Sequence, residues 1–354
     1  MVPDEASLPR PESRRSTLSR TVRRGPLLAL TGVSLYLLAP SLVAVFGSFP
    51  KLADIAPVWF VGMIVLETAS LACMWLLQRV CLRTDRWGPV ISSQLAGNAF
   101  ARVVPGGGAA GAALQYGMLV ESGIGGAVAA SGLAAANLLM IATLLALPVL
   151  VLPAILAGVP VRPGLAQAAW LGAGGFVLMA AVGALFLATD RPLELTGRTV
   201  ERVRNRLLPR REPLEGLASR LLLERGVILR AIGERWWQAL LAAVGRWLLD
   251  YGALVLALAA VGARPDPAVV LLAYAASQVL TQIPITPGGL GFVEAGLTGL
   301  LALAGVAPGK AALATLAYRL VSYWLPLPAG AAAVFVHRRH HRAEATPRAQ
   351  PDEG

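Results

Sequence analysis

Long runs of apolar residues, separated by short polar segments, follow one another along the chain from residue 25 onwards. A helix needs about 20 mostly apolar residues to cross the hydrocarbon core of a bilayer. Six of the runs reach that length. The pattern therefore predicts an all-α polytopic membrane protein with spans at 26–46, 57–78, 124–157, 167–189, 236–262 and 308–336.

Two further apolar regions, 90–121 and 268–305, are each interrupted near the middle by Pro-Gly-Gly. In the first region each arm holds about 15 residues, which reach ~22 Å as helix and fall short of the ~30 Å core. Backbone broken at membrane depth must be buried in protein or line a wet cavity, because lipid cannot satisfy its polar groups. We interpret both regions as re-entrant helical hairpins, with eight full spans as the alternative if the arms cross completely.

The interruption belongs to an internal repeat with an offset of 182 residues, which relates Pro105-Gly106-Gly107 to Pro287-Gly288-Gly289. The same offset carries Gly123 onto Gly305 and Asn137 onto Arg319. Many transporter folds are built from two related halves, each broken at membrane depth. We predict repeat halves at about 26–157 and 167–337.

The composition excludes a soluble protein. Hydrophobic residues make up 56% of the chain and charged residues 14%, whereas a soluble domain carries about a quarter charged residues. The net charge of +11 comes from arginines that cluster outside the apolar segments, so it predicts contact with anionic lipid and no nucleic-acid partner. The two cysteines, Cys73 and Cys81, predict neither a disulfide framework nor a zinc site, and no cofactor is predicted.

The distribution of basic residues predicts the orientation. The segments 1–24, 79–89 and 190–235 and the C-terminal tail together hold 24 Arg and Lys residues, whereas the segments on the opposite side hold 4. The positive-inside rule then places both termini in the cytoplasm, and we expect a multi-pass protein of the plasma membrane. Each half has three spans and one hairpin, so the halves are inverted, with the first hairpin entering from the cytoplasm and the second from outside.

Three polar segments flank or divide the predicted transmembrane domain, which covers 25–337. We expect disordered basic tails at 1–24 and 338–354. The segment 190–235 has leucine and isoleucine at helical spacing among arginines, which predicts an amphipathic helix on anionic lipid. A solvated charged linker is the alternative for this segment.

Three stretches resemble the lysylphosphatidylglycerol synthase transmembrane (flippase-like) family, also called UPF0104. They are 98–108 (NAFARVVPGGG), 287–294 (PGGLGFVE) and the span from Tyr318-Arg319 through Trp324-Leu325-Pro326. The resemblance covers roughly 26–337. In the synthases this membrane region precedes a cytosolic domain that attaches lysine to phosphatidylglycerol. The resemblance implies the flippase-like membrane part, and we expect no synthase domain and no enzymatic reaction here.

Seven charged residues lie inside the apolar segments. Each costs about 2.5–3.5 kcal/mol at the bilayer centre unless it is paired or hydrated, which makes it a functional candidate. Arg246 and Asp250 are one helical turn apart, so either an ion pair within their helix or a binding role explains them. For Glu121 and Arg102 a position near the interface is the alternative. The full set is Glu67, Arg102, Glu121, Arg246, Asp250, Glu294 and Arg319.

Glu294 and Arg319 form the sharpest candidate pair. Glu294 begins a half-helix after the second Pro-Gly-Gly, and Arg319 lies in the middle of the last predicted span. We hypothesise that they face one cavity, where the planar guanidinium of Arg319 binds a lipid phosphate bidentately. Amides at the helix starts after Pro105 and Pro287 would help to bind an anionic head group. The alternative is a buried salt bridge that only locks the hairpin to the last span.

The sequence thus predicts a protein that moves a phospholipid or a lipid-linked head group between leaflets. Its partners would be membrane lipids with anionic head groups. Because no ATP-binding motif appears, transport would run downhill or be coupled to an ion. The alternatives are a secondary carrier for a small polar solute and a membrane scaffold for a cytosolic lipid-modifying enzyme docked through 190–235. No oligomeric state is predicted.

Overall fold

A computed structural model describes residues 52–104, 107–156, 163–207, 216–283 and 287–344. The first predicted span at 26–46, the pair Pro105-Gly106 and the N-terminal tail lie outside the described residues, as does the end of the C-terminal tail from 345. Regular structure in the described ranges is entirely helical, which confirms the all-α fold class.

The helices follow one another with short connections. The α-helices are α1 (Pro57–Leu82), α2 (Trp87–Val103), α3 (Gly107–Glu121), α4 (Gly126–Ala146), α5 (Leu152–Leu156), α6 (Pro163–Ala188), α7 (Arg191–Leu207), α8 (Leu217–Ala260), α9 (Pro267–Thr281), α10 (Phe292–Leu303), α11 (Pro308–Arg319) and α12 (Pro326–Glu344). Short 3-10 turns cover Leu147–Val151 and Pro287–Gly289, and a π-helical segment covers Leu320–Trp324.

Four helical stretches are long and apolar enough to cross a membrane: Pro57–Leu82, Gly126–Val151, Pro163–Leu185 and Arg235–Ala260. They coincide with the predicted spans at 57–78, 124–157, 167–189 and 236–262. The sequence pattern therefore located these spans correctly, because unbroken apolar helix is read directly from consecutive residues.

The last predicted span, 308–336, is not a single regular helix. It consists of α11, the π-helical segment Leu320–Trp324 and α12, and it is not among the four spanning stretches. Pro326 has no N–H, so it cannot donate to the carbonyl of Ser322 four residues earlier as a helix requires. The freed carbonyl is used in the site described below.

The two Pro-Gly-Gly regions each form a pair of short helices that pack against one another, α2 with α3 and α9 with α10. Their arms hold 17, 15, 15 and 12 residues, so they extend about 18–26 Å as helix, less than a ~30 Å core. Both regions are thus helical hairpins; the side from which each enters the membrane stays a prediction.

Glycine allows the arms of the first hairpin to approach closely. A Cβ added at Gly97 would lie 2.8 Å from the carbonyl oxygen of Gly111, and one at Gly111 would lie 2.7 Å from Ala101 Cβ. Contacts this short require the backbone to move apart, so the hairpin depends on glycine at both positions.

A matched pair of glycine substitutions tests this packing. Gly111→Ala should lower the thermal unfolding temperature in detergent, because overpacking costs about 1–3 kcal/mol. Gly117→Ala lies in the same helix with open space around its Cβ, so it should be neutral or stabilising, since alanine favours helix over glycine by about 1 kcal/mol. Equal unfolding temperatures for the two variants would show that the arms do not pack this closely.

The 182-residue repeat reappears in the backbone. Gly123 (φ 87°) and Gly305 (φ 90°) both end a hairpin in the left-handed region. The residue two positions later has nearly the same conformation in each half, with φ −54° and ψ 134° at Gly125 and φ −56° and ψ 135° at Ala307. The same capping hydrogen bonds follow each turn: Gly123 N to Val120 O, Ile124 N to Leu119 O, Gly305 N to Ala302 O and Val306 N to Leu301 O.

The sequence-equivalent long helices, α1 and the later part of α8, pack against each other in opposite directions. A Cβ at Gly62 would lie 3.0 Å from Leu256, and one at Gly252 would lie 3.2 Å from Leu66. Residue numbers thus rise along one helix as they fall along the other. Equivalent helices that run in opposite directions agree with the prediction of two halves with opposite membrane orientation.

The predicted polar loop 190–235 contains two helices. One is α7, and the other is the beginning of α8, whose backbone kinks at Arg235 (φ −120°, ψ 15°). On α7, Leu195 and Val203 are 63% and 51% exposed beside the Arg198–Glu194 ion pair of 3.3 Å. The loop is therefore helical, and its seating on a lipid surface stays a prediction.

A compact turn joins α1 to α2. The Arg79 guanidinium donates to the Asp85 carboxylate at 2.7 Å and to the Thr84 carbonyl at 3.2 Å. The hydrogen bond and positive charge of Arg79 hold the pKa of Asp85 below its usual value. Ionised Asp85 thus helps to close the turn that starts the first hairpin.

Candidate functional site

A cavity of about 470 Å³ lies where the breaks of the two hairpins meet. Both halves line it, and three pairs of its residues are related by the 182-residue offset: Ala101 with Ile283, Gly107 with Gly289, and Asn137 with Arg319. Its charged lining comes from α1, α2, α8 and α11, in the form of Glu67, Arg102, Arg246, Asp250 and Arg319.

The predicted pair of Glu294 and Arg319 is in contact. Arg319 Nε donates to Glu294 Oε1 at 2.8 Å, and the two side chains are only 10% and 17% exposed. The second carboxylate oxygen accepts the Gly291 N–H at 2.7 Å. Arg319 Nη2 also lies 3.4 Å from the Gly288 carbonyl, a distance at the limit of a hydrogen bond. Arg319 thus joins α11 to the break of the second hairpin.

The glycines after Pro287 give Glu294 its position. Gly288, Gly289 and Gly291 have φ of 59°, 72° and 78°, in the left-handed region that glycine adopts without a steric penalty. The resulting turn starts α10 with Glu294 in its first turn, where a carboxylate satisfies an N–H that has no helical partner. A Cβ at Gly288 would collide with Tyr323 Oη and lie 2.9 Å from the Arg102 carbonyl. This glycine therefore allows the two hairpins to touch.

Tyr323 lies between two arginines that belong to different halves. The Cζ atoms of Arg102 and Arg319 are 4.9 and 4.7 Å from its ring centroid, within cation–π range. Its hydroxyl donates to the Arg102 carbonyl at 3.1 Å. One aromatic ring thus holds two guanidinium groups at the same side of the cavity.

Arg102 lines the cavity, which is one of the two positions that the sequence left open for it. Its Nε donates to Asn98 Oδ1 at 3.0 Å, and its Nη1 donates to the carbonyls of Ser322, at 2.9 Å, and Tyr323. The Ser322 carbonyl is the one that Pro326 leaves without a helical donor. Among the described residues no carboxylate forms a salt bridge with Arg102, so its charge meets only neutral oxygens. Glu121, by contrast, ends α3 outside the cavity lining.

The predicted pair of Arg246 and Asp250 forms the centre of a second cluster. Arg246 Nη1 lies 3.3 Å from Asp250 Oδ2 and also contacts the Ser70 hydroxyl. Asp250 is 3% exposed and accepts three further hydrogen bonds. The donors are Tyr274 Oη at 2.8 Å, Tyr318 Oη at 2.8 Å and Gln278 Nε2 at 3.2 Å. Four donors from three helices therefore satisfy the hydrogen-bonding capacity of this buried carboxylate.

Glu67 is brought to the same cluster, a placement that sequence reasoning did not foresee. It is 1% exposed and lies within hydrogen-bond reach of the Asp250 carboxyl. Its Oε2 has no hydrogen-bond partner among the described residues. Nothing in the linear sequence pairs Glu67 with a residue 183 positions away, so only the packing of α1 against α8 reveals the contact.

The predicted residues of the hairpin breaks fall into two groups. Gly107, Gly288 and Gly289 line the cavity, and Pro287 begins the 3-10 turn beside it. Pro105 and Gly106 lie outside the described residues. Tyr318 and Tyr323 were not among the predicted site residues, but both line the cavity and contact its charged groups.

The fold and the cavity define a polytopic helical membrane protein with a buried charged site where two hairpin breaks meet. Residues 25–330 match the family described as the lysylphosphatidylglycerol synthase TM region. The match covers most of the chain, so the protein belongs to this family, and the resemblance seen in its motifs is confirmed.

Two curated relatives are similar to parts of the chain, and both are described as UPF0104 membrane proteins of Methanothermobacter thermautotrophicus (strain Delta H). One is 32% identical over 94 residues, which are 27% of each chain. The other is 32% identical over 88 residues, 25% of this chain and 26% of the relative. The chain thus spans about a quarter of the length of these relatives. No solved structure matches it.

Proposed function

We propose that the protein translocates a phospholipid or a lipid-linked head group between the leaflets of the cell membrane, with both termini in the cytoplasm. The supporting observation is the pair of arginines, Arg102 and Arg319, that share the ring of Tyr323 at one cavity. That its chemistry is binding and transport rather than catalysis stays a prediction, as does contact with anionic lipid.

The charge balance of the cavity favours an anionic head group. Arg319 is neutralised by Glu294, and Arg246 is neutralised by Asp250. Arg102 meets only carbonyl and amide oxygens in the described part of the chain. A buried guanidinium without a counter-ion is costly, and a phosphate that lies against it lowers that cost. Arg102 is therefore the better first contact for the head group, a role that sequence reasoning gave to Arg319.

The two guanidinium groups still have donors to offer. Neither Arg102 Nη2 nor Arg319 Nη1 makes a hydrogen bond to another described residue, and both residues line the cavity. Guanidinium donors bind phosphate oxygens in a planar, bidentate geometry. A head group between them would also compete with Glu294 for Arg319, so the ion pair closes the site when no lipid is bound.

The size of the cavity fits the polar part of a lipid. Sites for small molecules usually have volumes of about 300–1,000 Å³, and about 470 Å³ accommodates a head group without its acyl chains. In this proposal the chains stay in the bilayer while the head group crosses. Movement of the two halves around the cavity would expose it to each side in turn.

Lipid flipping in proteoliposomes tests the proposal. With head-group-labelled phosphatidylglycerol and a membrane-impermeant quencher, the wild-type protein should expose inner-leaflet lipid faster than empty vesicles do. The double variant Arg319→Ala/Glu294→Ala removes both charges of the buried pair together, so it leaves neither charge unpaired. It should fold and lose most of the activity.

The exposed ion pair of α7 provides the matched control, because Arg198→Ala/Glu194→Ala removes the same residue types away from the cavity. This variant should flip lipid as the wild type does. If the double variant at the buried pair flips at the wild-type rate, the pair only locks the hairpin to α11. If the wild type does not exceed empty vesicles but takes up a small anionic solute, the protein is a carrier instead.

A further inference from the structure

Glu67 and Asp250 form a buried pair of carboxyl groups that phosphate binding by the arginines does not require. Glu67 is 1% exposed and Asp250 is 3% exposed, and both line the cavity. Two ionised carboxylates at hydrogen-bond distance repel each other strongly away from water. A proton held between them removes the repulsion and supplies a hydrogen bond.

The surrounding donors decide which of the two carries the proton. Asp250 already accepts hydrogen bonds from Tyr274 on α9, Tyr318 on α11 and Gln278 on α9, and it pairs with Arg246 on its own helix. Glu67 has an oxygen, Oε2, with no partner among the described residues. Donors engage both Asp250 oxygens, whereas one Glu67 oxygen has none, so a proton at this pair resides on Glu67.

The other charged groups facing Glu67 come from two helices. Arg246 on α8 and Arg102 on α2 are the cations that act on Glu67, and the charge of Arg246 is already shared with Asp250. An ionised Glu67 would therefore draw on the same positive field that holds a phosphate in the cavity. When Glu67 is protonated, the positive charge of the arginines remains available to the phosphate.

We propose that Glu67 binds and releases a proton, and that its protonation is coupled to binding of the anionic head group at Arg102 and Arg319. The proton passes from water to the Glu67 carboxylate on one side and returns to water on the other. Protonated carboxyl and bound phosphate favour each other, so proton and lipid travel in the same direction. This inference rests on the proposed translocation for its coupling, whereas the proton site itself does not.

The donor set favours a proton over a metal ion. In the described ranges no group of three or more His, Cys, Asp and Glu side chains is positioned to hold a metal. The Asp250 oxygens are occupied by hydrogen-bond donors, which leaves too few oxygens for a cation that needs six ligands or so.

Infrared spectroscopy of the purified protein in an ester-free detergent detects the proton without any transport. The wild type should show a carbonyl stretching band of a protonated, buried carboxyl that disappears as pH is raised. Glu67→Gln should lack this band, while Asp54→Asn, at an exposed carboxyl outside the cavity, should retain it. A band that persists in Glu67→Gln, or no band in the wild type, would overturn the assignment.

Proteoliposomes with an imposed pH gradient test the coupling. For one coupled proton, each pH unit should shift the steady-state distribution of labelled phosphatidylglycerol between leaflets by up to about tenfold, and Glu67→Gln should abolish the shift. Lipid flipping that ignores the pH gradient, or follows a sodium gradient instead, would refute coupling while leaving translocation intact. A Glu67 band without any flipping would keep the proton site and refute the translocase.

Discussion

Arg102→Gln should reduce phosphatidylglycerol flipping in proteoliposomes by about 10- to 150-fold while leaving the protein folded. Glutamine retains an N–H donor at the level of Arg102 Nε, which donates to Asn98, but it lacks the positive charge that lies in the cavity without a carboxylate partner. Each hydrogen bond between a guanidinium and a charged oxygen contributes about 1.5–3 kcal/mol, which corresponds to that range of rates if one such contact is lost.

The matched control is Arg198→Gln, the same exchange at an exposed position of α7, which should flip lipid like the wild type. Thermal unfolding of both variants separates function from structure. A large loss of flipping with an unchanged unfolding temperature supports a ligand contact at Arg102. A parallel loss of unfolding temperature would assign Arg102 to packing between α2 and the π-helical segment.

Asp250→Asn should destabilise the protein by about 3–5 kcal/mol, a drop that thermal unfolding in detergent or the yield of folded protein will report. Removing one partner of a buried ion pair leaves an uncompensated charge, here Arg246. The tyrosine hydroxyls of Tyr274 and Tyr318 donate to the carboxylate, and the new amide replaces one of its acceptor oxygens with an N–H₂ group. Both effects act on the contact between α8, α9 and α11.

Glu67→Gln makes the same carboxyl-to-amide exchange a short distance away and should change the unfolding temperature much less. A protonated carboxyl and an amide are both neutral and both donate a hydrogen bond, so the amide reproduces the protonated form. If Glu67→Gln destabilises as much as Asp250→Asn, then Glu67 is ionised and structural, and the assignment of the exchangeable proton to it fails. The two variants thus distinguish a carboxylate that the structure depends on, at Asp250, from a carboxyl that carries an exchangeable proton, at Glu67.

The helices could be predicted where features of consecutive residues determine them. Apolar runs located the four stretches that are long enough to span a membrane, because span length is read from consecutive residues. Pro-Gly-Gly located both hairpin breaks, because proline has no N–H and interrupts a helix locally. The segment 308–336, predicted as a span, is helical, but its α-helix is not continuous. Pro326 and the π-helical segment before it, Leu320–Trp324, interrupt it. The proline is visible in the sequence. That the Ser322 carbonyl accepts a hydrogen bond from Arg102 is seen only in the structure.

The site was predictable only in part. The Glu294–Arg319 and Arg246–Asp250 pairs were inferred because unpaired charges in apolar segments are costly and few partners were available. Tyr323 was not predicted as a site residue, and for Arg102 a position near the membrane interface remained an alternative. Their contact joins residues 221 positions apart. No periodicity or spacing marks such a contact.

The amino-acid sequence alone reveals the class of the protein, the positions of most of its helices, the 182-residue repeat and the charges that its interior must neutralise. These follow from composition and from interactions within a few residues along the chain. Which charges meet is seen only in the three-dimensional packing. Arg102 there has neutral hydrogen-bond partners, and Glu67 lies beside Asp250, whose oxygens are already contacted by four donors. The packing of α1 against the antiparallel part of α8, and of the two hairpins against each other, sets these distances. Distance and burial in turn govern the electrostatic balance of the cavity.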